Sequence, residues 1–144
     1  MYLYAVEHTS SEDMKAHIAE SVNLDKYADD DKFSSVIVKV QAMYWRKAWA
    51  IHNWFSIGNG EERYVSNLEL QTLVDELNEA IAKCPNLCKD WDDESAGKQE
   101  YLDFNGEELH WSHARYTVER LTELLSIASN DADRWVSFYY SGNF

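Results

Sequence analysis

The chain has 144 residues and a net charge of −13, set by 26 acidic against 13 basic side chains. That length suits one domain spanning residues 1–144, and its aromatic content of 14% belongs to a folded protein rather than a tail. The charge argues against phosphate neutralisation of nucleic acid or an anionic membrane. Two cysteines are too few for a disulfide scaffold, so a reduced cytoplasmic setting is the expectation.

No apolar run approaches the length of a membrane span. The first residues, Met1 to Glu7, lack the basic residues and cleavage site of a secretion signal, and Met1 to Val6 reads as a short strand or an ordered arm. Ser10 and Ser11 precede a stretch with acids in its first turn, Glu12 to Glu20, which predicts a capped helix with Met14, Ile18 and Val22 inward. Residues 23–32 are polar and contain Asp29-Asp30-Asp31, the composition of a loop. Phe33 to Val40 is rich in β-branched residues and predicts a strand, the alternative being one long helix running on into Tyr44.

Tyr44 to Phe55 holds three of the six tryptophans. As a helix it places Tyr44, Ala48, Ile51 and Phe55 on one face and Trp45, Trp49 and His52 on a second, about 100° away. Such a helix needs cover on two sides, so the rest of the chain is expected to pack around it. Ser56 to Gly60 ends it. Ser66 with Glu69 makes a capping box, and Val65 with Leu70 fits a hydrophobic staple. Leu70, Leu73, Val74, Leu77, Ile81 and Cys84 then mark a helical stripe that Pro85 stops. Tyr101 to Phe104 before Asn105-Gly106 is the pattern of a hairpin strand. A third helix is predicted from Trp111 to Ala128, facing inward through Ala114, Thr117, Val118, Leu121, Leu124, Leu125 and Ala128. Trp135 to Tyr140 reads as a terminal strand or an extended tail. The predicted class is α+β, three main helices around a central aromatic helix with a small antiparallel sheet from the Val36 and Phe138 regions.

The segment Tyr44-Trp45-Arg46-Lys47-Ala48 with Ile51-His52-Asn53-Trp54-Phe55 resembles a group of uncharacterised bacteriophage-encoded proteins. The likeness continues in Tyr64-Val65-Ser66 and in Phe138-Tyr139-Tyr140-Ser141 and covers about half the chain. The sequence departs from the group between Cys84 and Trp111, where the group carries a glycine- and phenylalanine-containing segment and this chain an acidic one. No established activity comes with the resemblance. It implies a phage accessory product acting in the cytoplasm of a host bacterium.

No phosphate loop, nucleophile elbow or zinc-protease motif is present, and the sequence names no cofactor. Trp45, Arg46, Trp49 and His52 are the candidates for a small-ligand or nucleotide pocket, or for an enzyme's site. Arg46 would be its planar donor and His52 its titratable group. The competing reading satisfies His52 and the indole N–H groups inside a core. Cys84, Cys88, His110 and His113 are poorly spaced for zinc, and Asp90 to Glu94 lacks the glycine and terminal glutamate of a calcium loop, so no metal is expected. Asp90 to Glu108 holds eight acids and one base. Carboxylates spread over a surface can stand in for phosphates. Those eight acids, joined by Glu61, Glu62, Asp75, Glu76 and Glu79, are therefore expected to form a face that mimics nucleic acid, with Asp90, Asp92, Asp93, Glu94, Glu107 and Glu108 as the residues that carry the contact. The partner would be a host protein complex with a basic nucleic-acid-binding surface. The function would be non-enzymatic and anti-defence, of anti-CRISPR or anti-restriction kind. A solvated acidic surface with no partner is the plain alternative, and a phage assembly protein a third. A homodimer through exposed Trp91 or Trp111 is compatible with each.

Overall fold

The computed structural model describes residues 1–10, 35–58, 60–93, 97–130 and 135–142. In chain order the elements are β1 (Tyr2–Ser10), β2 (Ser35–Tyr44), α1 (Trp49–Phe55), β3 (Glu62–Val65), α2 (Asn67–Ala82), β4 (Tyr101–Phe104), β5 (Glu107–His110), α3 (Trp111–Asn130) and β6 (Trp135–Ser141). This is an α+β fold, with three helices, a four-stranded and a two-stranded antiparallel sheet among the described residues. The helix expected after Ser10 and the loop expected at residues 23–32 lie outside the described residues, as does Glu94.

The larger sheet runs β2-β1-β6-β3, with the first strand inside it between the Val36 and Phe138 segments. Strand alternation divides its residues between two faces, with one register shift between Leu3 and Tyr4 where β1 pairs β2. Leu3, Met43, Val65, Phe138 and Tyr140 belong to one buried cluster shared with Ile51, Phe55, Leu70, Leu73, Leu77 and Leu121 of the helices. On the other face the register sets Tyr4, Tyr139 and Tyr64 in a row across three strands. Tyr2 meets Tyr44 at 5.1 Å between ring centroids on the same side.

The predicted capping box at the start of α2 is present. Ser66 Oγ accepts from the Glu69 backbone N–H, and Glu69 accepts from the Ser66 N–H. Its stripe is buried through Leu70, Leu73, Val74 and Leu77, and the helix ends three residues before Pro85. Arg63 then fastens three elements together. Its Nε donates to the Phe55 carbonyl at the end of α1, and its Nη1 meets Glu69 at 2.9 Å. That ion pair and the Ser66 N–H hold the Glu69 carboxyl below its ordinary range, the backbone bond being the larger cause.

The aromatic helix is shorter than its sequence suggested. Tyr44 closes β2, residues 45–48 turn the chain, and helix begins only at Trp49. The reason lies in pairing the sequence does not display. Trp45 N–H donates to the Met1 carbonyl and Trp45 C=O accepts from the Met1 amine, so this backbone extends the sheet. Lys47 then takes φ 57°, a left-handed conformation no helix interior tolerates. Ala48, Ile51 and Phe55 are buried as the period predicts, whereas Tyr44 is 44% exposed.

Candidate functional site

The second sheet is a hairpin set by two residues. Asn105 and Gly106 both have positive φ, 54° and 84°, which a type I′ turn requires and Asn-Gly supplies at least cost. A two-residue turn fixes the register: Asp103 faces Glu108, and Tyr101 faces His110. Leu102, Phe104 and Leu109 point into the core. Tyr101, Asp103, Glu108 and His110 consequently share the outward face, with Tyr101 edge-on to His110 at 5.1 Å. Asp103 Oδ1 accepts from the Gly106 N–H at 3.2 Å and tightens the turn. Two carboxylates directly opposed on a sheet repel each other, at a cost of up to about 1 kcal/mol.

A second segment presents Trp91 beside this face. Cys88 N–H donates to Gln99 O, Gln99 N–H to Asn86 O, and Arg115 Nε to Cys88 O, which pins the chain before the turn. Asp90 Oδ1 then accepts from the N–H groups of Asp92 and Asp93, and Asp93 Oδ2 from that of Lys89. These bonds hold Trp91 outward, 69% exposed, with its ring 5.2 Å from Trp111 and 6.2 Å from His110.

The hairpin lies between two grooves. Helix α1 packs against β5, and α2 against β4. On the β5 side a groove of about 500 Å³ is bordered by Arg46, Lys47, Trp49, Trp91, Tyr101, Glu108, His110 and His113. On the β4 side a groove of about 600 Å³ collects Glu76, Glu79, Lys83, Asp103 and Asn105. Burial and the neighbouring His110 push the His113 pKa down.

The acidic candidates fall on two segments, the turn around Trp91 and the hairpin. Asp90, Asp92 and Asp93 flank Trp91 in the chain, and Glu108 lies on the hairpin's outer face opposite Asp103. Glu107 does not join them. Successive strand residues point to opposite faces, and Glu107 accepts from Asn53 Nδ2 at 2.7 Å on α1. The wider set is largely occupied. Glu62 pairs with Lys39 and Glu79 with Lys83, both at 2.7 Å, and Glu76 accepts from the Trp54 indole.

The aromatic quartet is split by the turn at Lys47. Trp45, 1% exposed, donates its indole N–H to Thr117 Oγ1 at 2.8 Å. His52 is buried with Nδ1 2.8 Å from the Tyr140 hydroxyl, and burial together with the N-terminal amine lowers its pKa. Burial also pushes the Tyr140 phenol well up. Arg46 and Trp49 face solvent on the β5-side groove. With Trp45, Tyr2 and Tyr44 they also border one of about 330 Å³, which His52 does not reach. Among the described residues no three His, Cys, Asp or Glu side chains converge as a metal site requires, so Cys84, Cys88, His110 and His113 form no such group. No described helix is long and apolar enough to cross a membrane.

Sequence reasoning left Tyr101 and His110 out of the acidic face, and counted Asp103 among its eight acids without singling it out. The signal was present in the Asn105-Gly106 turn, whose length already dictates which residues face each other. Comparison with known proteins returns no matching family model, curated protein or solved structure.

Proposed function

We propose that this chain is a non-enzymatic binding protein whose hairpin face occupies a basic, nucleic-acid-handling surface of a partner protein. One observation carries the reading. Glu62, Glu69, Glu79 and Glu123 each meet a lysine or arginine, whereas Asp103 and Glu108, opposed on an outward face, are in no ion pair among the described residues. A partner cation placed between them would relieve their repulsion, and the net charge of −13 would steer basic surfaces toward the chain. Asp90, Asp92 and Asp93 extend the same field. The likeness of Tyr44–Phe55 to phage-encoded proteins supports a host bacterial cytoplasm and an anti-defence role, the partner being a complex that binds DNA or RNA.

The test is retention of nuclease-treated bacterial lysate on the immobilised chain, wild type against Asp103→Lys/Glu108→Lys. Nucleic-acid-binding proteins should be retained by the wild type, displaced by added DNA and lost on the double variant. Equal retention by both proteins contradicts the reading. The grooves beside Arg46 and Trp49 favour a second reading, a small planar ligand such as a nucleotide. A thermal shift with nucleotides that Trp49→Ala abolishes would support it, and no shift would remove it.

A further inference from the structure

The groove between the hairpin and the Arg46-Lys47 turn has an aromatic wall that charge alone does not call for. Trp91 is more than two thirds exposed, yet backbone bonds to Asp90 and Asp93 and ring packing on Trp111 hold it in place. Tyr101 is 47% exposed, and His110 touches both rings, so the three form one surface. Glu108 borders the same groove, with Asp103 across the strand pair. Exposed rigid aromatics of this kind are the usual centres of binding energy. A ring face with a carboxylate at its edge suits one cation in particular. The arginine guanidinium is planar, weakly hydrated and able to stack while it donates sideways, whereas the lysine ammonium is compact and strongly hydrated.

We infer that this wall anchors an arginine of the partner, its guanidinium stacked on Trp91 and Tyr101 and bonded to Glu108, with Asp103 across the strand pair adding its charge. The inference rests on the reading that the partner is basic and adds what chemistry it must present. The facing wall carries Arg46 and Lys47, the latter in its left-handed conformation, so the guanidinium belongs on the hairpin side. Those two cations oppose an arginine-rich ligand and leave room for an acidic residue of the partner beside the anchor.

Two fluorescent peptides of equal length and charge, one built on arginine and one on lysine, separate the possibilities when titrated with the whole chain by anisotropy. The arginine peptide is expected to bind about five-fold tighter or better, the range a stacked cation contributes. Trp91→Ala and, separately, Tyr101→Ala should remove that preference while leaving the salt dependence. Glu108→Gln with Asp103→Asn should weaken both peptides. Arg46→Glu with Lys47→Glu should tighten both, a gain that no misfolded variant would give. Equal binding of the two peptides, still dependent on the carboxylates, overturns the arginine anchor and leaves the basic partner standing. Binding of neither overturns both. Self-association in sedimentation that Trp91→Ala abolishes would assign the ring to a second copy of the chain and overturn the anchor.

Discussion

Trp45→Phe tests whether this aromatic belongs to the core. The indole N–H donates to Thr117 Oγ1, 72 positions along the chain, and phenylalanine cannot replace that bond. The Thr117 hydroxyl keeps its own role as donor to the His113 carbonyl at 2.6 Å, so no donor is orphaned and the loss is about 1 kcal/mol. Phenylalanine is smaller by about 40 Å³, which at roughly 24 cal/mol per Å³ of unfilled space adds about 1 kcal/mol. The variant should therefore lose about 2 kcal/mol in urea unfolding followed by far-UV circular dichroism, with an unchanged m-value. Trp91→Phe, on an exposed ring, should stay within about 0.5 kcal/mol. A Trp45→Phe cost under about 0.5 kcal/mol, or an equal cost at Trp91, would refute the division of these tryptophans into core and surface.

Ser66→Ala removes the acceptor for the Glu69 N–H and should cost about 1 kcal/mol in the same assay. Gly142→Ala would bring a methyl group within 2.8 Å of the Gly58 carbonyl oxygen and 3.0 Å of His52. A loss of about 1–3 kcal/mol should follow, seen as a lower melting temperature. The His52 and His113 pKa values lie below the ordinary 6.5, so the unfolded chain takes up these protons first. The stability of the neutral rings is complete above 6.5 and should fall as pH drops from there toward their folded values. The contribution of Glu69, lowered from 4.5, is lost only below 4.5. A urea series across this pH range checks the order, and a flat profile between neutrality and 4.5 would contradict it.

Local chemistry made much of the fold legible. The Ser66–Glu69 box, the stripe from Leu70 to Leu77 and the Asn105-Gly106 turn each use groups within a few residues of one another, and each stands where the sequence placed it. The start of α1 was hidden because the competitor for the Trp45 backbone is Met1, 44 positions away. The same distance problem concealed the fates of Trp45 and His52, which are bonded to Thr117 and Tyr140. The acidic surplus of residues 90–108 was visible, but strand alternation sends Glu107 toward Asn53 and Glu108 outward. Neither groove could be read from the sequence, since each forms between elements that spacing alone does not bring together.

Nuclear magnetic resonance of the labelled chain, titrated with the arginine peptide, follows the indole N–H signals and the backbone amides together. The Trp91 indole and the amides of residues 101–110 should move together and saturate, while the Trp45 indole, held on Thr117, stays still. Movement centred on the tyrosine face of the larger sheet, at Tyr4, Tyr64 and Tyr139, with Trp91 unchanged, would contradict the account.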